Sequence, residues 1–375
     1  MGGIENHFLK TLAVCIAGVT ASSGAAYGDS HEEMDHSTMD HSTMDHSSHD
    51  MAGHSTERDA QGRRLYGMAH NVPPEIADEL RQKIPTQKDA TDAQIALMMK
   101  VMGGNYSWYL SDEDMRGDQG LLILLHSSRQ GDPIFKAKVE DFADIFPTAL
   151  APGMAMAMSS HIQLALDDLK AAGAETIVVV PILATSHNTL MRQWNYIFGR
   201  EDEAAYGTVP RVSTDAELLF LDPPGDDPLI AEILIDHAYE ISEDPGNEIV
   251  IVTAHGPVFE EDNKKVKKEL KNLARIIKED GGFAGAYGVS LQDDAPQEIR
   301  DANVARMRGI VEDATGKGQR VLIVTNLTGT RTIQAQIRKD LTGLDYEFNP
   351  KGVSEHPNYI LGWMGDSVSQ ILENN

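Results

Sequence analysis

The sequence predicts an α/β protein built from two halves with parallel sheets. Three observations carry that prediction: apolar runs of strand length, amphipathic helical segments alternating with them, and an internal repeat. The runs lie at 121–125, 176–180, 217–221, 248–252 and 320–324, and the helical segments at 135–146, 162–172, 228–241, 263–279 and 302–316. Laying 121–126 over 250–255 puts a histidine, His126 and His255, directly after the first strand of each half. Ligands of open parallel sheets bind beyond the carboxyl ends of strands, so both histidines fall where chemistry collects.

Taken in order, residues 1–28 start polar with Lys10, continue through an apolar run around Val14-Cys-Ile-Ala-Gly-Val, and end in small residues near Gly24. That is the pattern of a secretory signal peptide, and it predicts export, most simply to a bacterial periplasm. Residues 29–58 repeat Met-Asp-His-Ser from Met34, Met39 and Met44, with no apolar periodicity, and are expected to be disordered. Six histidines fall within the 24 residues from His31 to His54: His31, His36, His41, His46, His49 and His54. Imidazole and thioether together suit copper, and imidazole alone suits Ni(II), Co(II) or Zn(II), so this tail is read as a metal-capture segment, the alternative being a solvated linker.

Residues 59–118 carry two helical patches, 73–81 and 91–102, and are expected to form a helical extension. Met98, Met99 and Met102, followed by Tyr106, Trp108 and Tyr109, fit either a core stripe or a ligand surface. The first α/β half is assigned to 119–242 and the second to 243–375. Within the first, a strand from Ile177 leads to His187 at the same sheet edge as His126. Overlaying the second half by its last strong strand puts Arg331 opposite His187. The first half then keeps two imidazoles able to stay neutral near pH 7, whereas the second offers His255 and a fixed cation, so the working site is assigned to the first half.

Composition narrows the partners. With 32 Lys+Arg against 58 Asp+Glu the chain carries a formal charge of −26, which disfavours nucleic acid and anionic membranes and favours cations. Its one cysteine, Cys15, lies in the N-terminal apolar run, so the rest of the chain has no disulfide or thiolate metal site. No later apolar run approaches 20 residues, which argues against a membrane span. The Thr315-Gly-Lys-Gly stretch precedes a strand and lacks phosphate-loop spacing, so no nucleotide is expected. His237 and His356 read as helix and loop residues rather than ligands.

His126-Ser-Ser-Arg129, the Ala172-Gly-Ala-Glu-Thr-Ile-Val-Val-Val-Pro181 strand, His187 and Pro223-Pro-Gly-Asp-Asp-Pro-Leu-Ile-Ala-Glu232 together resemble the class II chelatases of the sirohydrochlorin cobalt/iron chelatase type. The resemblance spans roughly 119–375. It implies two flavodoxin-like (chelatase-like) α/β domains facing a cleft and ATP-independent insertion of a divalent metal (Co, Ni or Fe, as substrate) into a tetrapyrrole. Carried over by motif, His126 and His187 would be catalytic and metal-binding, with Ser127, Ser128, Arg129, His255 and Arg331 contacting the tetrapyrrole. The Met-Asp-His-Ser tail is similar to those of periplasmic copper-resistance proteins.

Two departures stand out. Ser127 replaces the family's glycine, and Gly153-Met-Ala-Met-Ala-Met-Ser-Ser-His161 stands where the family presents a glutamate, with Met156 aligned to it. Met154, Met156 and Met158 fit either core or a Cu(I)-type methionine set with His161. Beside insertion, two further readings stay open: a periplasmic metal buffer or chaperone, and a tetrapyrrole-binding protein without turnover.

Overall fold

The computed structural model describes residues 58–65, 72–128, 131–329 and 332–375; the expected signal peptide, the His/Met-rich tail, Arg129 and Arg331 lie outside the described residues. Two sheets organise the described chain. The first has the order β1-β2-β4-β3-β5-β6. Its parallel strands are β3 (Gln119–His126), β4 (Thr148–Gly153), β5 (Thr176–Pro181) and β6 (Glu217–Phe220), and β2 (Tyr106–Tyr109) and β1 (Arg63–Leu65) add antiparallel at one edge. The second sheet, order β10-β9-β7-β8, is parallel throughout and comprises β7 (Glu248–Ala254), β8 (Gly285–Ser290), β9 (Arg320–Thr325) and β10 (Glu347–Phe348).

Counted within each half, both sheets run second, first, third, fourth strand. This is the doubly wound order of flavodoxin-like folds and the structural form of the sequence repeat. Two α/β halves with parallel sheets are therefore present, as the apolar runs predict.

The runs are continuously apolar because both faces of each sheet are covered. Leu121, Ile123 and Leu125 enter one core cluster and Leu122 and Leu124 another, the period-2 alternation of a strand. Helices fill the connections: α3 (Gly131–Ala143), α4 (Ser160–Ala171) and α5 (Thr189–Ile197) in the first half, α6 (Pro228–Tyr239) between halves, and α7 (Glu260–Asp280), α8 (Gln297–Thr315), α9 (Thr332–Asp340) and α10 (Gly365–Glu373) in the second. Helix α6 starts where Asp227 accepts the Leu229 N–H at 2.9 Å and Pro228 takes the first turn, where its missing donor costs nothing.

The 59–118 segment is more than the expected helical extension. Besides α1 (Pro74–Lys83) and α2 (Asp92–Met102) it supplies β1 and β2. Helix α2 opens with a capping box in which Thr91 accepts from the Gln94 N–H and the Gln94 side chain accepts from the Thr91 N–H. Tyr106, Trp108 and Met99 are buried in the core. Met154 and Met156 likewise lie in the apolar cluster on the outer face of the first sheet. Among the described residues no helix is long and apolar enough to cross a membrane.

Candidate functional site

His126 is the last residue of β3, and the Ser-Ser loop after it is tightly pinned. Asp132, 2% exposed, accepts hydrogen bonds from the Ser127 hydroxyl (2.7 Å), the Ser128 N–H (2.7 Å) and the Tyr106 hydroxyl (2.7 Å). Ser127 Oγ in turn accepts the Gly104 N–H at 3.1 Å. A β-carbon on Gly103 would collide with Ser127, so glycine there makes room for the serine side chain. The Ser127 hydroxyl thus points into the protein, and the N-terminal extension holds the loop. Ser127 braces His126; Ser128, half-buried, accepts the Gly131 N–H at 3.3 Å.

His255 follows β7 in the equivalent place. Gly256 after it has φ +76° and faces Ser290 and Gln292 so closely that no side chain fits. The His255 ring is shared between its Nδ1 contact with the Gly256 carbonyl at 2.8 Å and Asp294 Oδ2, 3.7 Å from Nε2. Asp294 comes from the loop after β8, where Gln292 adopts φ 54°, unusual for a non-glycine residue. That backbone is held by the Gln292 side chain, which accepts from Asn263 (2.6 Å) and Asn303 (3.2 Å) and donates to the Pro257 carbonyl (3.3 Å). The strained residue immediately precedes Asp293 and Asp294.

Asp294 ties the two halves together electrostatically. Its charge acts on His255, on His126, and on the buried Tyr206. The two histidines respond in opposite directions. Burial lowers the pKa of His126 below the ordinary value, only partly offset by hydrogen bonding and Asp294, and the His255 cation opposes its protonation further. At His255 burial pulls downward too, but Asp294 and Asp293 outweigh it and hold the imidazole above its ordinary value. The site therefore sets a neutral base, His126, opposite a more readily protonated His255–carboxylate pair.

His187 sits elsewhere on the same sheet edge. Its N–H meets Thr185 Oγ1 at 3.1 Å, and its Nε2 lies 3.6 Å from Glu269 Oε1 on α7. Burial lowers its pKa, with Lys265 and Arg192 pushing the same way and Asp262 and Asp222 opposing. Burial raises the pKa of Glu269. Arg192 is committed to a two-pronged pair with Asp262 (2.7 and 3.0 Å).

His161, in the first turn of α4, is 1% exposed, and burial, reinforced by His126, pushes its pKa down to about 3. Asp294, Asp132 and Glu269 were not among the residues singled out from sequence. Asp294 follows the second strand of the repeated half, β8, whose glycines hide it from a search for apolar runs. Among the described residues no three His, Cys, Asp or Glu side chains gather closely enough to hold a metal ion. A depression of about 530 Å³ lined by Gln334, Arg338 and Lys351 lies away from these histidines and contains none.

No protein-family model and no curated protein matches the sequence. Solved structures do. SirB from Bacillus subtilis, determined with Fe3+, superposes with a TM-score of 0.50 at 16% identity, covering 68% of this chain and 96% of SirB. DR2241 from Deinococcus radiodurans, a multi-domain protein described as structurally similar to chelatases with two additional novel domains, gives a TM-score of 0.40 at 17% identity, covering 69% of this chain and 54% of DR2241. The two α/β halves with their parallel sheets thus form a chelatase-like fold.

Proposed function

We propose that this chain inserts a divalent metal, Co(II), Ni(II) or Fe(II), into a sirohydrochlorin-like tetrapyrrole without ATP. The observation that supports this reading most is the pair of strand-end histidines, His126 and His255, both acted on by Asp294. The reaction replaces two pyrrole N–H bonds with metal–nitrogen bonds and releases two protons. A neutral imidazole near pH 7 can bind the incoming cation or accept a proton, and His126 is held neutral by its burial. In this scheme His126 and His187 serve as metal ligand and proton acceptor. Ser128, Arg129, His255 and Arg331 face the macrocycle, and Asp294 supplies the negative charge that draws the cation in. The chain is exported through residues 1–28, and the histidines of residues 29–58 gather metal in the periplasm.

The test mixes the full chain with sirohydrochlorin and Co(II) and follows the absorbance change, beside runs without protein and with the His126→Ala His187→Ala double variant. Acceleration by the intact chain alone is the expected outcome. The single His126→Ala variant should lose insertion while unfolding at the wild-type denaturant concentration, because His126 ends a strand rather than filling a core. Three equal rates would falsify the assignment and leave metal buffering by the tail as the reading to pursue by copper titration.

A further inference from the structure

We infer that His161 is the imidazole that works beside His126 in accepting the metal. This inference rests on the metal-insertion reading and names its second ligand. Three independent features of the fold lead to it.

The first is register. β3 and β4 are parallel neighbours in which His126 pairs directly with Gly153. The two positions share a face: His126 continues the row of Leu122 and Leu124, and Gly153 the row of Ala149 and Ala151, all four in one cluster. Side chains at directly paired positions stand side by side, about 5 Å apart. Gly153 has no side chain, and the space a β-carbon would take is filled by the Cδ2–Nε2–Cε1 edge of the His161 ring. The chain therefore supplies, from the first turn of α4, an imidazole in the slot next to His126.

The second is the state of that ring. His161 is 1% exposed, and its Nδ1 is buried with no hydrogen-bond partner. Buried polar atoms in folded proteins are nearly always satisfied, yet this ring is not held by a hydrogen bond at Nδ1, and the edge it turns into the slot beside His126 is the one that carries Nε2.

The third is the repeat. In the second half the loop after β8 delivers Asp294 to His255, the histidine that ends the first strand. In the first half the segment after β4 delivers His161 to His126. Each half thus joins a first-strand histidine to one group arriving after its second strand, an oxygen donor in one half and a nitrogen donor in the other. A nitrogen pair suits later first-row divalent ions better than a carboxylate does.

The test is a crystal of the full chain soaked with Co(II) alone, the cobalt located by anomalous scattering, together with insertion kinetics of His161→Gln. Cobalt bound by ring nitrogens of both His126 and His161 is expected. His161→Gln should raise the KM for Co(II) at least about tenfold, with the KM for the tetrapyrrole unchanged, a split that a packing role alone would not produce. Cobalt held by His126 and His187 with His161 unligated overturns the inference while leaving metal insertion standing; cobalt found only on residues 29–58 also overturns it. Cobalt between His126 and His161 with no insertion by the wild type sustains the pair and removes the chelatase reading. Should His161→Gln fail to fold, the cobalt position in the wild type still decides.

Discussion

At the scale of single residues, burial decides what each histidine can do. His126, His161 and His237 are all pushed toward the neutral form, whereas two carboxylates reverse the trend at His255. The same shifts predict acid sensitivity. His237, on α6 and remote from Asp294, is 1% exposed, leaves Nδ1 without a partner, and has its pKa lowered by burial from 6.5 to about 4. A base with a depressed folded pKa binds its proton more readily unfolded, so stability falls as pH drops from 6.5 toward 4 and is fully present above 6.5. At about 1.4 kcal/mol per unit, the wild type should lose about 3 kcal/mol more than His237→Gln over that window. Denaturant unfolding of both proteins at pH 6.5 and pH 4 checks this, and parallel losses would show that His237 is not held neutral.

At the scale of elements, the N-terminal extension acts as a brace for the site. Gly103 and Gly104 meet Ser127, Tyr106 reaches Asp132, and Asn105 Oδ1 accepts the Met154 N–H at 2.6 Å, so one short segment holds the loops after both β3 and β4. In Gly103→Ala the new methyl would meet the Ser127 backbone carbon at 2.9 Å and its side chain closer still, forcing the His126 loop to move. On the proposed metal-insertion reading, insertion should slow by up to about 100-fold, with a stability loss of about 1–3 kcal/mol. Gly309→Ala, which meets open space, serves as control and should leave the rate unchanged. Wild-type rates in both variants would show that the brace is not needed for chemistry. This scale also shows what was legible in the sequence. β3, β5, β6, β7 and β9 announce themselves through aliphatic runs that need cover on both faces. β4 does not, because Thr148-Ala-Leu-Ala-Pro-Gly153 uses small residues and ends in Pro152 and Gly153, beyond its last pairing with β2. β8 does not either: Gly285 opens it and Gly288 stands in its interior because Ile249 presses against the first and the Leu270 backbone against the second. Helices α5 and α9 are nine residues each, too short for a clear period. The site follows suit. His126, His187 and His255 are readable from strand ends and repeat, whereas Asp294 depends on the unread β8, and the position of His161 depends on the unread register of β4.

At the scale of the whole molecule, the question is whether two halves make two folding units. Length alone favours two, since chains well beyond about 150 residues commonly unfold in steps. The core argues otherwise. Leu121, Ile123, Val178 and Val180 from the first sheet share one continuous cluster with Val250, Val252, Leu322 and Val324 from the second, and Ile230, Ile233 and Leu234 of α6 lie in the same cluster. Polar links cross the same boundary: Tyr359 donates to the Leu183 carbonyl at 3.2 Å, Val258 N–H to Thr189 Oγ1 at 3.3 Å, and Arg192 to Asp262, whose side chain is 4% exposed. Unfolding one half alone would expose the inner face of the other sheet and strand Asp262 without its partner, penalties that separate domains joined by a linker do not carry. The described fold should therefore unfold in a single transition, with tryptophan fluorescence and far-ultraviolet circular dichroism giving the same midpoint. Trp108 and Trp194 report on the first sheet and its covering helices, and Trp363 on the C-terminal segment packed against α6, so independent halves would separate these signals. Two resolved midpoints would mean that the shared cluster is too weak to couple the sheets. A single one means that a site built from β3, β4, β7 and β8 is held rigid by the same core that makes the protein stable, which is what keeping His126, His255 and Asp294 in fixed positions requires.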